Sequence, residues 1–206
     1  MPFMRSSEPK RTRAPSEGAC YLYVLPCAYE DLLKLGFSRQ PLDRMQALQP
    51  RWFEFFDLDR ALLVETETVR DARGLELELR RRLREHGAPA PLTIRIEAAG
   101  HTEWYRGAYP ALSAEVERLS AIGHTVHVPM RPWLQGQLRT RADLLFAWTS
   151  RVIDGVQGEP ALLDLPSMAP LRRQVLDTLD AYAALGIDVE DHLPDAIRCW
   201  YHARLR

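Results

Sequence analysis

The stretch Tyr21-Leu-Tyr-Val-Leu25, Leu33-Lys-Leu-Gly-Phe-Ser38 and Pro41-Leu-Asp-Arg44 decides how the rest of the chain is read. Its first segment, Cys20 to Leu25, is apolar on both faces, the pattern of a strand covered on two sides. Alternation sets Tyr21 and Tyr23 on one face, with Cys20, Leu22 and Val24 on the other. In the second segment Leu33, Leu35 and Phe37 share a face, and Lys34 and Gly36 share the opposite one. A lysine in the middle of an apolar strand needs a reason. The glycine beside it lets another backbone or a ligand approach closely. Pro41 then fits the first turn of a helix that carries Arg44, with Asp43 near the positive end of the dipole.

Working outward, Arg60-Ala-Leu-Leu-Val64 reads as a third strand, and Glu65 to Thr68 leads into a helix over Val69 to His86. Val69, Ala72, Leu75, Leu79 and Leu83 form its apolar stripe. At ~100° per residue, Glu76 falls about 40° from the centre of that stripe and Glu78 about 120° away. Glu76 is therefore expected to face the core or a cleft, and Glu78 water. A semi-buried carboxylate must find a cation, a metal or several donors. Arg80, Arg81, Arg82 and Arg84 follow on the outer faces, as a phosphate-facing edge or as a solvated charged face. Residues 87–102 read as a loop with a short strand at Thr93–Ile96. Glu103-Trp-Tyr105 precedes a helix from Pro110 to Ile122, and His124 to Val128 is an edge strand. Pro129 and Pro132 mark a boundary.

Beyond that boundary the pattern is helical. Three stripes are expected to give three amphipathic helices: Leu134 to Val152, Leu171 to Tyr182, and Leu193 to Leu205. They would form a small bundle, or an extension packed on the first domain, and a surface for a homodimer. Residues 1–18 are polar and aperiodic, and read as a disordered basic arm. No apolar run approaches the ~18 residues of a membrane span, and no signal-peptide core is seen. Cys20, Cys27 and Cys199 have no zinc-ligand spacing and read as reduced thiols of a cytoplasmic protein. The net charge of −1 argues against non-specific coating of nucleic acid, while leaving room for a local basic site.

The first ~115 residues resemble the GIY-YIG nucleases, in the style of the phage-derived T5orf172 subgroup. Tyr21-Leu-Tyr23 stands at the first signature and Lys34-Leu-Gly36 at the second. Arg44 follows Gly36 by the family's eight positions. Glu76 sits in an Ala-x-x-Leu-Glu-x-x-Leu helix, and Glu103-Trp-Tyr105 resembles the Glu-Trp-Phe that closes the subgroup's domain. The resemblance implies an α+β fold with a small three-stranded antiparallel sheet flanked by helices, spanning residues 19–130. An all-α region would follow over residues 131–206. It implies a metal-dependent phosphodiester-cleaving nuclease acting on DNA. Tyr23 would help deprotonate the attacking water, Arg44 would stabilise the phosphate, and Glu76 would hold a single Mg2+ or Mn2+. Lys34 replaces the second signature tyrosine, as a base or phosphate anchor. Tyr21, in place of a glycine, joins the catalytic set but could crowd the cleft. Gly36, Ser38 and Arg80 are the expected substrate contacts.

The chemistry agrees: phosphodiester cleavage asks for a cation on the equatorial oxygens, a metal near the leaving oxygen and a base for water. The alternative is a catalytically degenerate module that binds nucleic acid or protein. The balance of 14 Lys and Arg against 17 Asp and Glu over residues 15–130 favours it somewhat. The nuclease reading requires Tyr23, Lys34, Arg44 and Glu76 to converge on one open cleft, and it fails if Glu76 is sealed under side chains.

Overall fold

A computed structural model describes residues 17–95, 97 and 100–204. Strand β1 (Glu17–Pro26) pairs antiparallel with β2 (Leu33–Ser38) on one side and with β3 (Leu62–Thr68) on the other. These are the three strands the sequence predicts, with the third displaced towards the helix that follows it. Three two-residue strands extend the sheet: β4 (Gly87–Ala88), β5 (Trp104–Tyr105) and β6 (Val126–His127). The order β4-β5-β2-β1-β3-β6 gives six strands, all antiparallel, where the resemblance implies three; β6 lies within the edge strand read over His124–Val128, and β4 and β5 are additional. Segments of two residues carry no measurable alternation and become strands only because a neighbour pairs with them.

The expected strand at Thr93–Ile96 is not formed. The Ile94 amide instead bonds back to the Pro91 carbonyl at 3.1 Å, which closes a turn, while Ile96 lies outside the described residues. Of the arm expected over residues 1–18, residues 1–16 lie outside the described residues, and Glu17 and Gly18 open β1.

The two faces of the sheet are covered by different helices. On the Leu22, Val24, Leu33 and Leu35 face lie Leu79 and Leu83, contributed by α3 (Val69–Arg82) and the residue after it. Leu112, Val116 and Leu119 of α4 (Tyr109–Ala121) complete this layer. Thr68 caps α3, its hydroxyl accepting from the Asp71 amide at 3.1 Å. A single tight turn, Arg84–His86, follows it. On the Tyr23 and Leu25 face lie α1 (Pro41–Leu48), through Leu42, Met45 and Leu48, and the short α2 (Trp52–Phe55).

The same apolar cluster continues past residue 130 without a break. It takes in Leu134 and Leu138 of α5 (Arg131–Thr140), Leu145 and Val152 of α6 (Ala142–Gly155), Val175 and Leu179 of α7 (Ala169–Ala184), and Ile197 and Trp200 of α8 (Asp195–His202). The helical region is thus packed on the sheet. The stripe expected to form one helix over Leu134–Val152 is two helices, because the chain turns at Arg141. Arg51 ties α2 to α7 with bonds of 3.0 Å to Asp177 and 2.9 Å to Asp180. Among the described residues, no helix is long and apolar enough to cross a membrane.

Candidate active site

Four elements bring four predicted side chains together: β1 supplies Tyr23, β2 Lys34, α1 Arg44 and α3 Glu76. Register seats Tyr23 opposite Gly36. A Cβ built at Gly36 would stand 2.7 Å from Tyr23 Cζ, and closer still to the hydroxyl. The space left by the missing side chain is therefore filled by the Tyr23 phenol, not left for a ligand. Arg44, in the first turn of α1, sets its positive charge near the Tyr23 hydroxyl. Burial pushes the phenol above its ordinary range. The charge of Arg44 opposes that push, while Glu76 and Glu103 add to it.

Lys34 is 2% exposed. Its ammonium donates to the Thr102 carbonyl and, at 3.2 Å, to Glu103 Oε2. Burial lowers its pKa; the Glu103 carboxylate works against that, and the nearby Arg44 charge reinforces it. The other carboxylate oxygen of Glu103 lies 3.0 Å from Arg80 Nη1, so one acid bridges cations from β2 and α3. Burial would raise the Glu103 carboxyl, but the Thr102 hydroxyl bond and the Lys34 and Arg80 charges hold it below the usual range. Glu103 stands at φ 61°, left-handed backbone that costs a non-glycine residue roughly 1–2 kcal/mol. Its carbonyl accepts from the Leu35 amide at 3.1 Å, which anchors the loop to β2 in that conformation.

Glu76 is 7% exposed, and Glu78 faces water, bonded to Arg82, as the helical period predicts. Burial raises the Glu76 carboxyl and the charge of Glu103 adds to it, against Arg80, Lys34 and Arg73. A carboxylate so placed is a natural seat for a cation. Among the described residues no group of three or more His, Cys, Asp or Glu side chains stands together.

The remaining predicted residues divide. Arg80 belongs to the cluster through Glu103, and its charge acts on the Tyr105 phenol. Ser38 turns the chain into α1, its Oγ accepting from the Gln40 amide at 3.0 Å. Tyr21 shares the Tyr23 face of β1, yet its ring leans on Trp133 of α5 at a centroid distance of 5.3 Å. Burial raises its pKa, and the charges that act on it are those of Glu65 and Cys20, not those of the cluster. The residue replacing a glycine thus does not crowd Tyr23. Glu103 is the site residue that sequence reasoning passed over. It was read as part of a closing motif, although a lone strand lysine was already asking for an acid.

Residues 20–120 match the family described as T5orf172 domain. This part of the chain is a T5orf172 domain. No curated protein and no solved structure matches the chain. The match covers every residue of the cluster from Tyr23 to Glu103, and it makes this region a nuclease-like or nucleic-acid-binding module. It stops short of Trp133 and the helical region.

Proposed function

We propose that the T5orf172 domain is a metal-dependent nuclease that cleaves phosphodiester bonds in DNA. What supports this reading is the gathering of Arg44, Lys34, Arg80 and Glu76 about the buried Tyr23 phenol, with Glu103 bridging Lys34 and Arg80 at 3.2 and 3.0 Å. Arg44 is half-buried, so a phosphate can meet it in a partly water-excluded setting where a fixed cation acts more strongly. Its charge offsets part of the burial that holds the Tyr23 phenol protonated, so the phenol would take a proton from a water placed against it only after giving up its own. Glu76 would hold the divalent ion, with Glu103 adding negative potential nearby. When bound, that ion would neutralise charge developing on the leaving oxygen. Lys34, kept in place by Thr102 and Glu103, adds a second fixed positive charge behind the reacting phosphate.

One observation favours the second reading, a binding module without cleavage. Tyr23 and Lys34 are each only 2% exposed and Glu76 7%, the burial that counts against cleavage, and Glu103 already engages Lys34 and Arg80. Incubation of supercoiled and single-stranded DNA with Mg2+ or Mn2+ separates the two. Wild-type cleavage that falls ~10²–10³-fold in Arg44→Ala and Glu76→Ala, both still folded, is the expected result. An inactive wild-type protein whose DNA binding is unchanged in both variants would establish the binding module instead.

A further inference from the structure

Tyr21 and Trp133 meet in a place that neither the cluster nor the family match explains. Tyr21 occupies a position where the resemblance expects a glycine, and Trp133 lies outside residues 20–120. Their rings are inclined at 59° with centroids 5.3 Å apart, and both stay partly exposed. They line a cavity of about 140 Å³ with Arg39, Gln40, Gln137 and Arg141 around them. A cavity of ~150 Å³ is enough to take up one six-membered aromatic ring. Arg39 and Arg141 give it positive charge, Arg141 while bonded to Asp43 at 2.5 Å. Gln137 offers an amide, the group that can both donate to and accept from a base edge.

The position along the strand matters as much as the lining. Tyr21 and Tyr23 are two residues apart on the same face of β1, roughly 7 Å by strand geometry. One unstacked nucleotide bridges such a distance between its base and the neighbouring phosphate.

We propose that the Tyr21–Trp133 pocket receives one unpaired nucleobase of the nucleic acid, with its sugar–phosphate backbone towards Arg39 and Arg141. The helical region thereby selects single-stranded or locally opened substrate for the T5orf172 domain. Stacking on aromatic side chains tolerates any base, so the pocket chooses strand state, not sequence. The proposal rests on the nucleic-acid reading of the domain.

The test is binding of a fluorescein-labelled single-stranded DNA, an RNA of the same sequence and a blunt duplex DNA to the full chain, without divalent metal. Wild type, Trp133→Phe and Trp133→Ala are compared, with circular dichroism to check folding. Loss of one stacking platform predicts ~5- to 100-fold weaker single-strand binding by Trp133→Ala. Trp133→Phe should retain most of the affinity, and duplex binding should be equal in all three. The DNA and RNA arms show which strand the pocket accepts. Equal single-strand affinity in Trp133→Ala and wild type overturns the proposal, while metal-dependent cleavage lost in Arg44→Ala would leave the nuclease reading standing. A wild-type chain that binds none of the three overturns both. Should Trp133→Ala not fold, wild type with 2-aminopurine placed in turn along the strand decides: quenching at one position supports the pocket, and none at any position overturns it.

Discussion

Adding one methyl group at Gly36 tests how the site is assembled. Gly36 is not among the residues of positive φ, so alanine fits the strand backbone. By backbone entropy alone Gly36→Ala would be worth about 0.5–1 kcal/mol of added stability. The sign is reversed by packing. The new Cβ would stand 2.7 Å from Tyr23 Cζ, and the ring it meets is rigid, 2% exposed and part of the apolar cluster under α1 and α5. Overpacking of this kind costs typically 1–3 kcal/mol. The net expectation is a loss of about 1–2 kcal/mol, or roughly 2–8 °C in Tm for a chain of this size. The displaced phenol should also move away from the Arg44 charge, so any cleavage activity falls further than stability does. Urea denaturation of wild type, Gly36→Ala, Tyr23→Ala and the double variant forms the assay. With the ring removed, Gly36→Ala should become neutral or stabilising. A single variant as stable as wild type, or the same loss in both backgrounds, would refute the reasoning.

Two further expectations concern the charges. Burial lifts the folded-state pKa of Glu76 above the ordinary value of 4.5. The folded state therefore binds the extra proton, and Glu76 costs stability progressively as pH rises through 4.5 towards the folded value. Glu76→Gln is accordingly expected to be more stable than wild type at pH 7, with the advantage shrinking as pH falls from the folded value towards 4.5 and lost below it; denaturation midpoints that differ equally at pH 7 and at a pH below about 4.5 would contradict this. Glu103→Ala leaves the ammonium of Lys34 without its carboxylate in a site 2% exposed, for an expected cost of ~2–3 kcal/mol at pH 7. Arg80→Ala removes a partner 43% exposed and should cost ~1 kcal/mol or less. Equal losses in these two variants, measured by urea denaturation, would mean that Glu103 does not serve mainly to hold Lys34.

Much of this molecule is local and so was legible in the sequence. A two-residue period is enough to part Tyr23 from Leu22 and Val24 within β1, and Lys34 and Gly36 from Leu33 and Leu35 within β2; the pairing register then sets Tyr23 over Gly36. A 3.6-residue period is enough to turn Glu76 inward and Glu78 outward, because an element's own geometry fixes those directions. Spacing alone also set Arg44 at the start of a helix behind Pro41. Which partner then arrives is a long-range matter. Tyr21 and Tyr23 are indistinguishable by alternation. One lies over Gly36 beneath Arg44, and the other leans on Trp133, more than a hundred residues further along. The glycine's open space, read as room for a ligand, is filled from the neighbouring strand. Glu103 becomes the bridge between Lys34 and Arg80 only because its loop is pinned to β2 in a left-handed conformation, and the two-residue strands exist only by pairing. The sequence by itself determined which way each side chain faces its own strand or helix. The tertiary structure alone decided what each one meets, since burial and charge pairing depend on segments that periodicity does not connect.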